Sequence, residues 1–301
     1  MANRREIVKR RTAVRNIRKI TRTMQLIATA RYQTAYKRAA ATKPYSEKLA
    51  EMVANLARAS AGLEHPLMAE PQTTERSALV VITSSRGLCG GYNSNVLHRA
   101  VEHIDRQAAD GVTTDTIMVR KKGINYFDFV EREMAETLTD ITDMPGFGEV
   151  EPLADRLMER FVAGEVGSVY VAYMHFYSTA RQRPEVVQLL PLAWEAAAEE
   201  REGEGDEEGD AAAVREVEFE FSPAPQEILD ELLPASVRMR LYQAFTEAAV
   251  SEQMARMVAM KQATDAAEKK IKQLTREYNR ARQTAITMEL LDIVGGASAL
   301  A

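Results

Sequence analysis

The sequence is poor in cysteine, in aromatic residues and in long apolar runs. Cys89 is the only cysteine among 301 residues, so no disulfide can form within the chain, and with four histidines it leaves no recognisable zinc cluster. No apolar run approaches the roughly 20 residues that span a bilayer. Aromatic residues make up only 6% of the chain. A chain rich in alanine, arginine and glutamate instead favours long helices over β-sandwiches or barrels.

The charge is unevenly distributed along the chain. Residues 1–48 hold fourteen lysines and arginines against Glu6 and Glu47, whereas residues 195–220 are strongly acidic and the net charge is −5. The basic N-terminus lacks the apolar segment of a secretory signal and runs directly into a helical pattern, so we expect no cleavable leader and a cytoplasmic compartment. The asymmetry predicts different partners for the two regions.

Two glycine-free stretches at the chain ends predict long helices. The first runs from Asn3 to about Ser60, with Pro44 predicting a kink or short break. One side of this helix is expected to carry Ile7, Val14, Ile17, Ile20, Met24 and Ile27. The stripe is too long to be buried by the helix alone, which predicts a helical partner.

The second glycine-free stretch covers residues 225–294 and shows a coiled-coil spacing. Its apolar residues follow a 4-3-4-3-4-3 pattern at Ala267, Ile271, Leu274, Tyr278, Ala281, Ala285 and Met288. Gly295 and Gly296 are expected to end the helix or to let it fray. We therefore expect the N- and C-terminal helices to pair in antiparallel fashion.

The central part of the chain predicts an α/β layer. Short β-branched runs indicate strands at 78–83, 116–120, 168–173 and 185–190, with helices near 95–108 and 151–163. This alternation predicts a sheet that is at least partly parallel. The acidic, glycine-rich residues 195–213 are expected to be disordered, and residues 216–221 to form an edge strand.

The turn at residues 84–91 contains Gly87, Gly90 and Gly91 and precedes a predicted helix. Such a turn could hold a phosphate, but it lacks the Lys-Ser/Thr of a P-loop and the spacing of a dinucleotide motif. A tight strand-to-helix turn capped by Asn or Ser is the preferred interpretation. No catalytic motif is evident, and no cofactor is expected. The apolar stripe within the basic N-terminal helix argues against a nucleic-acid partner.

Four segments resemble the ATP synthase gamma subunit family. They are KITRTMQLIATAR at 19–31, SRGLCGGYNSN at 85–95, SEQMARMVAMKQATD at 251–265 and YNRARQTAITMEL at 278–290. These motifs occur in the family's order and cover both ends and the middle of the chain. Small departures occur, as where Arg31 stands for the usual lysine and Ser85 for aspartate. The acidic insert is unusual, and it has no cysteine pair like that of the chloroplast relatives.

The resemblance implies a fold, partners and a location. The fold class is α/β: a long antiparallel coiled coil of the two terminal helices plus a central Rossmann-like α/β domain. The predicted parts are an N-terminal shaft helix at 1–62, the α/β domain at 75–222 and a C-terminal shaft helix at 225–301. The implied partners are the alpha and beta subunits, the epsilon subunit and the c-ring. The chain is then peripheral at the cytoplasmic face of the cell membrane, reaching the membrane only through the Fo sector.

The resemblance also implies a non-catalytic rotor and its contact residues. The region around Met24 is expected to meet the lever segment of the beta subunit, and residues 290–294 to lie in an apical bearing. The expected interface and coupling residues are Lys19, Met24, Arg31, Arg256, Arg282, Gln283 and Thr287. Two alternatives stay open at this point: a nucleotide-binding α/β enzyme with helical extensions, and a basic coiled-coil adaptor for nucleic acid.

Overall fold

The computed structural model describes residues 4–59, 65–69, 74–192 and 224–299 and divides the chain into two compact units. The coil unit comprises Met1–Ala30 and Ala255–Ala301, and the domain unit comprises Arg31–Met254. The elements, in chain order, are α1 Arg4–Ala59, β1 Arg76–Ile82, α2 Tyr92–Ala109, β2 Thr113–Val119, α3 Lys121–Phe129, β3 Glu136–Leu138, α4 Phe147–Val162, β4 Ser168–Phe176, β5 Gln182–Leu190 and α5 Pro225–Ala299. Both terminal helices therefore contribute to both units.

The described residues of the domain unit form a five-stranded sheet in the order β3-β2-β1-β4-β5. The central strand β1 pairs in parallel with β2 and β4, and β3 pairs in parallel with β2. Among these five strands, only β5 is antiparallel, against β4. Residues 78–82 of β1 are completely buried, as expected for a parallel strand covered on both faces. The α/β class with a partly parallel sheet is confirmed.

The core of the domain unit joins the sheet to α4 and to the first part of α5. Helix α5 contributes residues spaced three or four apart, all of them fully buried: Leu229, Leu233, Val237, Leu241, Phe245 and Ala248. These residues pack in one cluster with Val80, Ile82 and Val171 of the sheet and with Leu153 and Leu157 of α4. This cluster anchors α5 within the domain unit.

The coil unit confirms the antiparallel pairing of α1 with α5. Thr264 donates its hydroxyl to Thr21 Oγ at 2.8 Å, and Arg18 Nη1 lies 3.7 Å from Glu268 Oε1. Farther along, the Arg11 guanidinium stacks over the ring of Tyr278 at 5.1 Å. As the position on α1 falls from 21 to 11, the partner position on α5 rises from 264 to 278, which defines an antiparallel pair.

Several local expectations differ from the structure. Helix α1 runs through Pro44 without the short break that was one of the two expectations there, because a proline removes only one N–H from the helical ladder while the flanking turns stay bonded. Helix α5 likewise continues past Gly295 and Gly296 to Ala299; glycine weakens a helix without blocking it. The expected disordered insert at 195–213 and the expected strand at 216–221 lie outside the described residues.

Candidate subunit-contact surfaces

The apolar stripe of α1 in the coil unit divides into a buried seam and an exposed ridge. The seam includes Ile7, Thr21 and Ala28, which are all buried. Successive members are fourteen and seven residues apart, which are multiples of the seven-residue coiled-coil repeat. Ile17, Ile20 and Ile27 face elsewhere and stay 50%, 59% and 51% exposed. The expected single stripe was therefore wrong in part, since only some of its residues meet α5.

The exposed ridge on α1 is continuous and apolar. Ile17, Ile20, Met24 and Ile27 are spaced three and four residues apart, which places them on one helix face. Met24 is half-buried, at the border between this ridge and the seam, while Lys19 is exposed. A continuous row of large exposed apolar side chains is typical of a surface that another protein covers.

The far end of α5 carries a second exposed apolar surface. Its exposed fractions range from 48% to 69% over Ile286, Met288, Leu290, Leu291, Ile293 and Val294. Three of the expected contact residues, Arg282, Gln283 and Thr287, are exposed in the same region. Thr287 donates its hydroxyl to the carbonyl of Gln283 at 3.0 Å. This end of the coil unit thus combines apolar and polar contact groups on one helix.

Arg256 is the most enclosed of the expected contact residues, and Arg31 forms an ion pair within the chain. Arg256, in the coil unit, is 8% exposed. Arg31 belongs to the domain unit, where its Nη1 lies 3.7 Å from Asp143 Oδ2. Its charge is therefore engaged within the chain. An arginine that forms an ion pair within its own chain can also contact a partner subunit only if the ion pair stays formed in the complex.

Asp143 is the centre of a small ionic network in the domain unit that the sequence did not reveal. Besides Arg31, it accepts a hydrogen bond from Arg86 Nη2 at 2.7 Å. Burial acts to raise the pKa of Asp143, but hydrogen bonds from Arg86 and Ser85 and the nearby positive charges outweigh it, so the pKa lies below its ordinary value. The carboxylate thereby joins α1 to two loops at the sheet edge.

The turn at residues 84–91 is a tight connection between β1 and α2. Gly90 has φ of 59°, a left-handed conformation that glycine adopts without strain. Gly91 is the N-cap of α2, where no side chain caps the helix, so the expected Asn or Ser cap was wrong. Asn93 instead bonds back to Ser84, accepting from its N–H at 2.9 Å and donating to its hydroxyl at 2.8 Å. Gly87 lies near the Lys122 side chain.

The described residues contain no cluster of histidine, cysteine or carboxylate side chains suited to a metal ion. In the same part of the chain, no helix has an apolar stretch long enough to cross a bilayer. The exposed apolar surfaces of the coil unit are the α1 ridge and the apolar end of α5.

Comparison with known proteins identifies the group to which these features belong. A family model described as ATP synthase matches residues 3–300. The ATP synthase gamma chain of Rhodopirellula baltica is 41% identical over 302 residues, which cover 100% of this chain and 99% of the relative. The chain belongs to the ATP synthase gamma chain family. The gamma chain of Leptospira biflexa is 39% identical over 300 residues, covering all of both chains.

Solved structures agree with this assignment at the level of the fold. A chain of the Euglena gracilis mitochondrial ATP synthase, in a structure of OSCP, F1 and c-ring in rotational state 3, matches with a TM-score of 0.64 and 18% identity. The match covers 99% of this chain and 94% of the other. A central-stalk and c-ring structure from Tetrahymena thermophila matches with a TM-score of 0.55, covering 81% and 99%. The gamma-chain fold therefore extends over nearly the whole sequence.

Proposed function

We propose that this chain is the central rotating stalk of an F1Fo ATP synthase, a non-catalytic subunit that couples ion flow through the membrane sector to ATP synthesis or hydrolysis. The observation that carries the proposal is the coil unit, in which two paired helices leave an apolar ridge and an apolar end exposed. The partners are three alpha and three beta subunits around the coil, with the epsilon subunit and the c-ring at the domain unit. The F1 sector is membrane-associated, and we place the chain at the cytoplasmic face.

A rotor of this kind needs no active site of its own. The side of the coil that faces a beta subunit changes the populations of the nucleotide states of that subunit. A contact partner shifts such an equilibrium only by the difference between its interaction free energies with the states. Moving a two-state site from 1:99 to 99:1 takes about 5.5 kcal/mol of differential interaction. The α1 ridge and the end of α5 expose apolar side chains, whereas other positions of the coil unit, such as Asp265 and Lys269, expose charged ones, so rotation presents different contacts in turn.

We further propose coupling roles for the exposed and half-buried residues of the coil unit. Met24 and Lys19 lie on or beside the α1 ridge, and Arg282, Gln283 and Thr287 precede the apolar end of α5. Arg256 is buried and is assigned a supporting role at the edge of a contact. Arg31, in the domain unit, acts through its ion pair with Asp143.

Copurification tests the proposal. The tagged chain is expressed with bacterial alpha and beta subunits, and the expected product is a complex with three copies of each that hydrolyses ATP and turns a bead fixed to the domain unit. Changing Ile20 and Ile27 together to serine should reduce recovery of alpha and beta. The matched control is Phe129→Ser, which removes an apolar side chain that is 84% exposed in the domain unit and should leave recovery unchanged.

Two results would contradict the proposal. A chain that purifies without alpha and beta subunits and binds ATP or a dinucleotide by itself would favour a nucleotide-binding enzyme. A chain that is retained on DNA and released by moderate salt would favour a nucleic-acid adaptor, because binding to phosphates is steeply salt-dependent.

A further inference from the structure

A completely buried arginine lies at the end of strand β2 in the domain unit. Arg120 is 0% exposed and has φ of 71°, an uncommon conformation for a residue other than glycine. Its guanidinium donates from Nη1 to the carbonyl of Thr83 at 3.0 Å and from Nη2 to the carbonyl of Thr142 at 2.6 Å. Its backbone N–H donates to the carbonyl of Leu138. Arg120 is thus tied to the ends of β1 and β3 and to the following loop.

The same guanidinium faces a carboxylate on α5. Arg120 Nη1 lies 3.8 Å from Glu252 Oε2, and the side chain of Glu252 is 1% exposed. Arg120 also contributes positive potential at Asp143 and Glu149, but neither residue is on α5. Among the described ion pairs, the Arg120–Glu252 pair is the one in which both side chains are essentially excluded from water. A charge in such surroundings depends strongly on its partner.

Helix α5 is enclosed on every side at this point. Six consecutive residues, 248–253, are buried, which is more than one full turn of 3.6 residues. Most are small, so few large side chains of this segment interlock with the surrounding core and resist turning of the helix. The Ser251 hydroxyl and the Gln253 amide make no hydrogen bond to any described residue. Within this segment, Glu252 makes a charged contact, its 3.8 Å ion pair with Arg120.

We infer that the Arg120–Glu252 ion pair fixes the angle of α5 about its own axis inside the domain unit. The inference rests on the proposed function, in which α5 carries torque. Glu252 lies two residues before the end of the domain unit at Met254, and the same helix continues into the coil unit. The pair acts as a torsional lock: torque carried along α5 reaches the sheet through Arg120 and its carbonyl partners. Arg120 and Glu252 are positioning residues with no part in the chemistry.

The test measures torsional stiffness in the complex with alpha and beta subunits. The beta subunits are fixed to a surface, and a bead is attached to the domain unit through Asp110→Cys, an exposed position. The native Cys89 is buried and stays unlabelled. Angular variance is recorded while the complex waits for ATP. Glu252→Gln keeps the size of the side chain and removes its charge. If the ion pair and the apolar enclosure resist turning of α5 about equally, this substitution should raise the angular variance about twofold.

Two further variants make the result specific. Asp105→Asn removes an ion pair with Arg132 that is 2.9 Å long but exposed, in the same unit, and should leave the variance unchanged. Glu252→Asp keeps the charge but withdraws it by one methylene, so its variance should fall between wild type and Glu252→Gln. Should Glu252→Gln fail to assemble, Glu252→Asp must still be looser than wild type.

The outcomes separate the inference from the function on which it rests. Normal ATP-driven rotation with wild-type variance in Glu252→Gln would overturn the lock and leave the rotor intact. A lowered melting temperature of the complex without any change in variance would likewise overturn it, because the pair would then only stabilise the fold. A wild-type complex that hydrolyses ATP without turning the bead would overturn the rotor function itself.

Discussion

The apolar side chains of helix α5 are buried to different extents in the domain unit and in the coil unit. Between residues 229 and 253 most of its large apolar side chains are buried, and Leu229, Leu241 and Phe245 are fully enclosed. Near its C-terminal end the same helix leaves Leu290 and Ile293 57% and 69% exposed. The residue types are similar in both regions, so the difference lies in what covers them. Apolar character predicts that a surface will be covered, but not by which chain.

The coil unit also buries fewer large apolar side chains than the domain unit. Its buried residues include the small Thr21, Ala28, Thr264 and Ala267 beside Ile7, Met260 and Leu274, whereas many leucine, valine and phenylalanine residues fill the domain core. Hydrophobic stabilisation grows with the apolar area removed from water, at about 25 cal/mol per Å². The coil pair is therefore held less strongly than the domain. Large side chains such as Ile20 and Ile27 stay exposed on the coil unit and are available for outside contacts.

The largest effect expected from this comparison is on stability. Phe245→Ala should destabilise the domain unit by about 3–5 kcal/mol, because it removes a fully buried ring from the core. Ile20→Ala, on the exposed ridge, should change stability by less than about 0.5 kcal/mol. Urea unfolding followed by circular dichroism measures both. Equal losses from the two substitutions would mean that the ridge is packed within the chain.

The next effect concerns coupling. Met24→Lys should impair ATP-driven proton pumping more than ATP hydrolysis in reconstituted membranes, while the complex still assembles. On the proposed function, a lysine at the border of the ridge finds acidic partners on the beta subunit, and a partly desolvated ion pair costs more to break than a methionine contact. Over-stabilising one angular state raises the barrier to the next step.

The ratio of pumping to hydrolysis is the decisive quantity for Met24. Met24→Leu is the matched control, since it keeps an apolar side chain of similar size and should leave the ratio close to wild type. An unchanged ratio in Met24→Lys would count against Met24 as a coupling contact.

The sequence predicts the long elements well because their patterns extend over many residues. Both terminal helices, the antiparallel pairing and four of the strands follow from periodicity and composition. Helix α3 and strand β3 were missed. Helix α3 has nine residues and contains Gly123, which lowers helix propensity. The structure shows why glycine is there: a Cβ at this position would lie 2.2 Å from Met118 Sδ and 2.8 Å from Thr83.

The contact surfaces were harder to predict than the elements. The α1 stripe predicted from the sequence mixes residues of the seam with residues of the ridge. A spacing of three and four residues shows that apolar side chains share one broad helix face, but it does not show which of them contact α5. The long-range ion pairs of Asp143 and Glu252 leave no local signal, since their partners lie 57 and 132 positions away at Arg86 and Arg120. Charged residues in helices are usually solvated, so nothing in the segment marked Glu252 as buried.

A smaller effect is expected from the Asp143 network in acid. Because the folded-state pKa of Asp143 is lowered, its contribution to stability is fully present above the unfolded-state value of about 3.9 and is lost as pH falls through the lower folded-state pKa. Asp143→Asn should therefore cost about 1–2 kcal/mol at neutral pH, and the gap from wild type should close below about pH 4. Urea titrations between pH 3 and 7 measure this. A gap that widens in acid would reverse the assigned direction.

The smallest effect is expected from removing residues 195–213, which lie outside helix α5. Their acidic, glycine-rich composition offers almost no apolar surface to bury, so they contribute little packing to any assembly. Shortening a long connection in the sequence also changes the entropy of loop closure only slightly. Deletion should leave recovery of the alpha–beta complex and its ATP hydrolysis unchanged. The matched control keeps the length and replaces the acidic residues with serine and glycine, which separates charge from chain length. Loss of the complex in the deletion but not in the control would show that the connection needs its length, and loss in both would make the acidic segment a docking element.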